Sequence, residues 1–282
     1  MRPWQAYVSQ GEGNTPRGIG NLRYLDSYAN ASYEGLQMTV EKHYSHGLLL
    51  NFNYVFSKAL GEGYERNSGQ VNGGTYQNPQ DRRPDRGRYP FDTTHNATVS
   101  VVYEMPFLNR FRGVAGGFLA GWQVNGIITL HTGYPFGLSG GNLNTGAATR
   151  PDRVADGRLG SQATRQLWFD PTAFRRTDCN IPSRPDLCHF GSAANDVLNT
   201  PGSRNLDASI YKNWKIKPLG ETARLQFRME AFNATNSPHF GQPIGIGFVS
   251  PDAVVPDAPQ QGQIRSLLSP MRTAQLAVKL YF

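Results

Sequence analysis

The feature that most constrains this chain is alternation: in seven segments, apolar and polar residues exchange places at every second position. Leu36, Met38 and Val40 share one face, while Gln37, Thr39 and Glu41 share the other. After a break at Tyr44-Ser45-His46-Gly47, Leu48, Leu50, Phe52, Tyr54 and Phe56 oppose Asn51, Asn53 and Ser57. Ala97, Val99, Val101 and Tyr103 then oppose Asn96, Thr98, Ser100 and Glu104, and Trp122, Val124, Gly126, Ile128 and Leu130 oppose Gln123, Asn125, Thr129 and His131. Leu206, Ala208 and Ile210 face away from Asn205, Asp207, Ser209 and Asn213. Ala223, Leu225, Phe227, Met229 and Ala231 face away from Thr222, Arg224, Gln226, Arg228 and Glu230. The last run sets Ala274, Leu276, Val278, Leu280 and Phe282 against Thr273, Gln275, Lys279 and Tyr281. A period of two is that of a β-strand whose two faces meet different surroundings. A weaker eighth segment falls near Leu22–Leu25.

Alternation alone fits a soluble sandwich as well as a membrane barrel. Segment length favours the barrel, because soluble strands average about 5–6 residues and a tilted spanning strand needs about 9–11. The connections agree. In order they are short (44–46), long (59–93), medium (106–117), very long (134–203), short (216–220) and long (235–270). Up-and-down barrels carry tight turns on one membrane side and long loops on the other. With the C-terminus periplasmic, the three longest loops lie outside the cell. The expected class is all-β: an antiparallel up-and-down transmembrane β-barrel segment of about 7–8 strands. Residues 1–32 form a lead-in with at most one weak strand, and 33–282 the barrel segment.

Composition supports this reading by exclusion. Hydrophobic residues make up 38% and charged residues 17%, with 31 Gly and 19 Pro, so turns are many and helix is scarce. Disorder is excluded by 15 Phe, 13 Tyr and 4 Trp on a chain of modest net charge, +7. No stretch approaches the ~18 consecutive apolar residues of a spanning helix. A pI near 9.5 raises nucleic acid as a partner. However, Arg82, Arg83, Arg86, Arg88 and the arginines of 150–184 are interleaved with Asp81, Asp85, Asp152 and Asp156, which gives no continuous basic face. No nucleic-acid partner is expected.

Cys179 and Cys188 stand nine positions apart in a polar, irregular stretch, with His189 the one further ligand type close by. A loop disulfide in an oxidising compartment fits better than a zinc site, and two reduced thiols are the alternative. The six histidines, His43, His46, His95, His131, His189 and His239, show no metal-ligand spacing, and no Gly-rich phosphate loop follows a strand. No catalytic constellation, metal or cofactor is expected, and the chain is read as a non-enzyme. Residues 1–20 contain no apolar core of the secretory kind.

Several short motifs carry a resemblance. They are Asn53-Tyr54-Val55-Phe56-Ser57-Lys58, Asp85-Arg86-Gly87 through Phe91-Asp92-Thr93-Thr94-His95, and Gly121-Trp122-Gln123-Val124-Asn125-Gly126 with Thr132-Gly133-Tyr134-Pro135-Phe136. To these are added Asn205-Leu206-Asp207 and the run Arg224-Leu225-Gln226-Phe227-Arg228-Met229-Glu230-Ala231-Phe232-Asn233. In this order, over roughly 30–282, the sequence resembles the C-terminal barrel region of TonB-dependent transporters of the Oar-like type, which carry a carboxypeptidase-regulatory-like domain and a plug ahead of the barrel. Large outer-membrane transporters enclose a plugged lumen with 22 strands. The resemblance therefore implies that the chain is the C-terminal part of such a barrel, in the bacterial outer membrane. The full-length parent would take up a large, unidentified nutrient, and TonB and the plug domain would be partners only through that parent.

Site expectations follow from the register. Asp207, Arg224, Gln226, Arg228 and Glu230 would line the lumen, since an Arg facing lipid at mid-depth costs about 2–4 kcal/mol. Tyr54, Phe56, Tyr103, Trp122, Trp214 and Phe282 would face outward near strand ends as aromatic girdles. The end of the chain, Leu276, Val278, Leu280 and Phe282, resembles the signal read by the barrel-assembly machinery; outer-membrane lipid and that machinery are the expected partners. In the 134–203 loop, Trp168, Phe169 and Phe174 either contact a ligand or pack the loop on itself. Two further readings remain: a small stand-alone barrel acting as an adhesin or anchor, and a soluble carbohydrate-binding β-sandwich with Trp168 as its platform. An open sheet of seven or eight strands would leave two unpaired edges and aggregate unless the ends meet or the rest of the barrel is present.

Overall fold

The structure is a computed structural model that describes residues 30–62, 77–78, 80–111, 113–143, 149–216, 218, 220, 222–250 and 252–282. The weak segment near Leu22–Leu25 lies outside the described residues, as does most of the 1–32 lead-in. Seven long strands form one antiparallel meander in chain order: β1 (Ala31–Ser45), β2 (Leu48–Gly61), β3 (His95–Glu104), β4 (Trp122–His131), β5 (Ser203–Lys215), β6 (Arg224–Phe232) and β7 (Thr273–Tyr281). Each alternating segment becomes one strand. β1 begins earlier than the alternation does, because Ser32 to Gly35 break the apolar rhythm yet pair with Leu60 to Ser57. Among the described residues β1 and β7 have no partner at their outer edges, and both run from the long-loop side to the short-turn side.

The register lines like residues up across the sheet. One row runs Val40–Phe52–Val99–Ile128–Leu206, and another runs Tyr103–Val124–Ile210–Met229–Leu276. This apolar face is covered by no second sheet among the described residues: Leu36 is 64% exposed, Leu276 70% and Val278 67%. A soluble sandwich would bury that face against another layer. An exposed apolar surface of this size requires an apolar solvent.

Connections sort by side as the alternation of their lengths predicts. The β1–β2 turn needs only His46 and Gly47, at φ 53° and 81°, the doubly positive pair that a two-residue hairpin turn of this hand demands. The β3–β4 link on the same side contains the one α-helix among the described residues, α1 (Gly113–Leu119), which the sequence rhythm does not announce.

One expectation needs correction. The charges are not confined to the lumen face: Lys42, Arg204 and Lys212 share the apolar face with Leu50, Leu130 and Trp122, their cross-strand neighbours. All three sit near strand ends, and Lys42 turns its ammonium back to the Ser45 carbonyl oxygen at 3.4 Å. Long cationic stems let Lys42 and Arg204 reach the membrane interface from such positions, so the cost at mid-depth is avoided, whereas Lys212 is 1% exposed with its ammonium between the Trp122 and Trp214 rings. Conversely, Ile127 (49% exposed) and Leu49 lie on the polar face, paired with Asp207 and Val102.

Among the described residues the hydrophobic core cluster sits outside the sheet. Phe136, Leu138, Phe169, Ala173, Phe174 and Leu198 bury one another, with Trp168, Val197 and Ile246 packed against them. All belong to the β4–β5 and β6–β7 loops, so those loops make a folded cap on the outer end of the sheet.

Candidate functional site

The polar face is a lattice of short side chains punctuated by one charged knot. On β6, Arg224, Gln226, Arg228 and Glu230 point to this face, with Tyr211 and Asn213 of β5 and Gln275 and Tyr281 of β7 beside them. Arg228 donates to the Tyr211 hydroxyl at 2.6 Å and to Glu230 Oε1 at 2.9 Å, and its guanidinium lies 4.4 Å from the centre of the Tyr211 ring. Tyr211 donates to Glu230 at 3.0 Å, and the Gln275 amide donates to the second Glu230 oxygen. Gln226 donates to Asn213 at 3.0 Å, and the Arg224 guanidinium covers the Tyr281 ring at 4.6 Å. Asp207 lies on the same face, but its carboxylate accepts the Asn233 backbone N–H at 2.8 Å and so fastens the outer end of β6. The expected lumen residues therefore share a wall, with Asp207 serving its rim. Tyr211 and Gln275, which bind the knot together, were missed, although their phase in the alternation assigns them to this face.

The lattice continues across the sheet. Gln123 donates to Asn125 at 2.6 Å and Asn125 to Ser209 at 3.2 Å; Thr39 donates to Asn53 at 3.0 Å and Asn51 to Glu41 at 3.1 Å. A wall of amides and hydroxyls offers donors and acceptors to a polar solute without a strong field of either sign. Among the described residues no three His, Cys, Asp or Glu side chains gather as metal ligands.

Above the lumen, the cap is tied by buried polar contacts. Asp85 and Arg150, 2% and 7% exposed, form an ion pair between the β2–β3 and β4–β5 loops, and Arg150 also donates to Asn195 at 3.0 Å. Gln77 bridges the same two loops, donating to the Gly191 carbonyl at 2.9 Å and accepting from the Arg150 backbone N–H at 2.9 Å. Asp92 accepts from Arg88 at 2.6 Å and from the Ala59 backbone N–H at 2.8 Å, which roots the cap on β2. Ser183 donates to Asp252 at 2.6 Å, joining the β4–β5 loop to the β6–β7 loop. All three outer loops are thus one unit.

Within the β4–β5 loop, Cys179 and Cys188 form a disulfide. Phe169 and Phe174, 1% and 0% exposed, meet edge to face at 6.2 Å, and Phe169 meets Phe136 likewise at 6.1 Å. The Trp168 indole donates to the Asn199 carbonyl at 2.7 Å. For Phe169 and Phe174 the ligand-contact expectation gives way to packing, since neither ring reaches solvent. Next to the disulfide, His189 presents Nε2 to Asp152 at 2.6 Å and Nδ1 to the Asp186 carbonyl at 3.0 Å. Two acceptors, one at each nitrogen, favour the doubly protonated ring, and Asp152 foremost holds the His189 pKa above its ordinary value.

The expected girdles divide between the two ends. Tyr54 bonds His95 at 2.8 Å and Phe56 packs on it at 5.2 Å on the outer side. At the opposite end, the indoles of Trp122 and Trp214 donate to the Phe118 and Gly117 carbonyls of α1 at 2.9 and 2.7 Å. Phe282 is 93% exposed, and Leu276, Val278 and Leu280 continue the apolar face of β7.

A single sheet of spanning strands, lipid-compatible on one face and polar on the other, with long loops gathered at one end, defines an outer-membrane β-barrel protein. The family model described as an outer membrane beta barrel domain matches residues 3–275, and the chain belongs to that family in the bacterial outer membrane. No curated protein and no solved structure matches the chain.

Proposed function

We propose that this chain is wall and outer cap of a TonB-dependent transporter whose full-length form takes up a large nutrient. The observation that carries this reading is the pairing of a mixed polar lumen face with outer loops locked into one folded cap. A wide solute-conducting barrel needs a neutral, hydrogen-bonding wall and a fixed mouth, whereas a pure membrane anchor needs neither. The transporter-like motifs from Asn53 to Asn233 add the energy coupling, with TonB and a plug domain engaged only in the full-length parent. On this reading the chain performs no catalysis, and Arg228, Glu230 and Tyr211 brace the wall rather than bind substrate.

The test uses cells lacking the encoding gene, supplied with isotope-labelled peptides, oligosaccharides and ferric chelates, with and without a protonophore. At least one compound is expected to lose uptake both in the deletion strain and when the proton gradient is collapsed. An uptake profile unchanged by the deletion, or lost uptake indifferent to the protonophore, overturns the reading.

A further inference from the structure

The β3–β4 link, residues 105–121, is folded to the lipid side of the wall rather than beneath the lumen. Trp122 and Trp214 belong to the apolar phase of β4 and β5, the phase of Val124 and Ile210. Their indoles donate to the Phe118 and Gly117 carbonyls at 2.9 and 2.7 Å, so α1 hangs from side chains that project toward lipid. The Lys212 ammonium lies 5.7 and 5.3 Å from the two ring centres and steadies both. Gly113 and Gly121, at φ 67° and 75°, take a left-handed backbone at the two ends of α1, which lets the chain turn out of the strand line and back. Between them, Gly116 packs so closely on the Phe111 carbonyl that a Cβ there would collide with it. The 3-10 turn Pro106–Arg110 and α1 are therefore one compact unit.

In water a unit of that shape would turn its apolar side chains inward, and this one does the reverse. Val114 is 80% exposed and Phe118 67%, and Phe107, Phe111 and Leu119 are exposed as well. Val114 and Phe118 stand four positions apart and so share one helical face. With seven residues, three of them Gly, α1 is too short and too Gly-rich to hold a helix in water by itself. An apolar surface of this density is stable where acyl chains begin, and the indole bonds place it there, since Trp122 and Trp214 mark the short-turn end of the lipid face. Charge fits the same depth. The link carries Arg110 and Arg112 and no Asp or Glu, and the Arg110 guanidinium lies over the Phe111 ring at 5.3 Å. Apolar side chains with cations at their margin suit a leaflet whose headgroups are phosphates.

We infer that the β3–β4 link is a membrane foot: α1 lies in the plane of the periplasmic leaflet beside the wall, with Val114 and Phe118 among the upper acyl carbons and Arg110 at the level of the phosphates. The partner is the anionic phospholipid surface of that leaflet, and the foot sets how deep the short-turn end of the barrel sits. The inference rests on the membrane placement of the sheet and is independent of what the barrel transports.

The full chain, purified from outer membranes and placed in phospholipid nanodiscs, carries a bimane label at Val114→Cys, at Phe118→Cys or, as reference, at Ser45→Cys, exposed on the same membrane side at the end of β1. Cys179 and Cys188 are paired and take no label. A nitroxide on the upper acyl carbons is expected to quench the labels at 114 and 118 about threefold more than the label at 45, which iodide in solution quenches instead. Labels at 114 and 118 that iodide reaches as readily as the label at 45 put the link in the periplasm and overturn the inference. Labels that neither quencher reaches overturn it too, because protein then covers α1. If a labelled variant does not assemble, as judged by loss of heat-modifiable gel mobility, the wild type is irradiated with a phospholipid bearing a diazirine high on its acyl chain. Adducts are then expected within 105–121, and adducts confined to the strands overturn the inference.

Discussion

The sheet and the cap are two folds made under opposite rules. In the sheet, Leu36, Leu276 and Val278 stay exposed and the backbone ladder does the joining; in the cap, Phe136, Phe169 and Phe174 are buried and ladders shrink to two-residue pairs such as Asp152–Arg153 with Phe174–Arg175. The sheet borrows its apolar phase from lipid, whereas the cap, bathed in water, must build its own. The same chain therefore carries residues that fail if made polar and residues that fail if made small, and the two sets do not overlap.

The effect expected to reach furthest, loss of the whole sheet, comes from changes on the lipid face. Val101→Arg, paired with Leu50 and Gly126, should prevent assembly, at a cost of about 2–4 kcal/mol for a mid-depth Arg. Ser100→Arg, one residue away on the polar face, should assemble normally in a heat-modifiable gel assay. Equal damage from Val101→Arg and Ser100→Arg would erase the distinction between the faces. Next, Arg150→Met leaves Asp85 buried and uncompensated, a loss of roughly 3–5 kcal/mol that should open the cap to protease on intact cells without affecting barrel assembly. Phe174→Ala should do the same through a cavity, at about 3–5 kcal/mol. If either change also blocks assembly, cap and sheet are one cooperative unit.

A smaller effect is expected from Cys179→Ser with Cys188→Ser, about 2–3 kcal/mol from chain entropy for so short a loop, read as faster proteolysis between the two positions. The smallest is a pH effect at His189. Its pKa is raised, so the stabilisation from Asp152 is fully present below about 6.5 and fades as pH rises through the higher folded value. The pair is part-exposed, which limits it to about 0–1 kcal/mol. Amide exchange around 186–192 should therefore quicken beyond its intrinsic rate on going from acid to alkaline pH in the wild type, and His189→Gln should flatten that difference.

The comparison also explains what could be read from residues alone. Strands β1 to β7 were legible because membrane and lumen impose two phases on each of them, and phase two survives in sequence. The cap was legible only as loops: Phe136 meets Phe169 across 33 positions of irregular backbone, and no period records such a meeting. Phe169 and Phe174 looked available for ligand because a lone aromatic in a loop carries no sign of its neighbour. Lys42, Arg204 and Lys212 were obscured for another reason. Alternation gives the face of a residue but not its depth, and depth decides whether a cation facing lipid is a defect or an anchor.

The seven-strand meander has a consequence that is arithmetical. Its first and last strands point the same way, so joining β7 directly to β1 would give a parallel seam in a wall otherwise wholly antiparallel. Adding a second or third copy head to tail only repeats the mismatch at every junction, because seven is odd. A fully antiparallel cylinder counts in pairs. Whatever closes this one must bring an odd number of strands between the two edges, a single strand being the smallest set that satisfies the count.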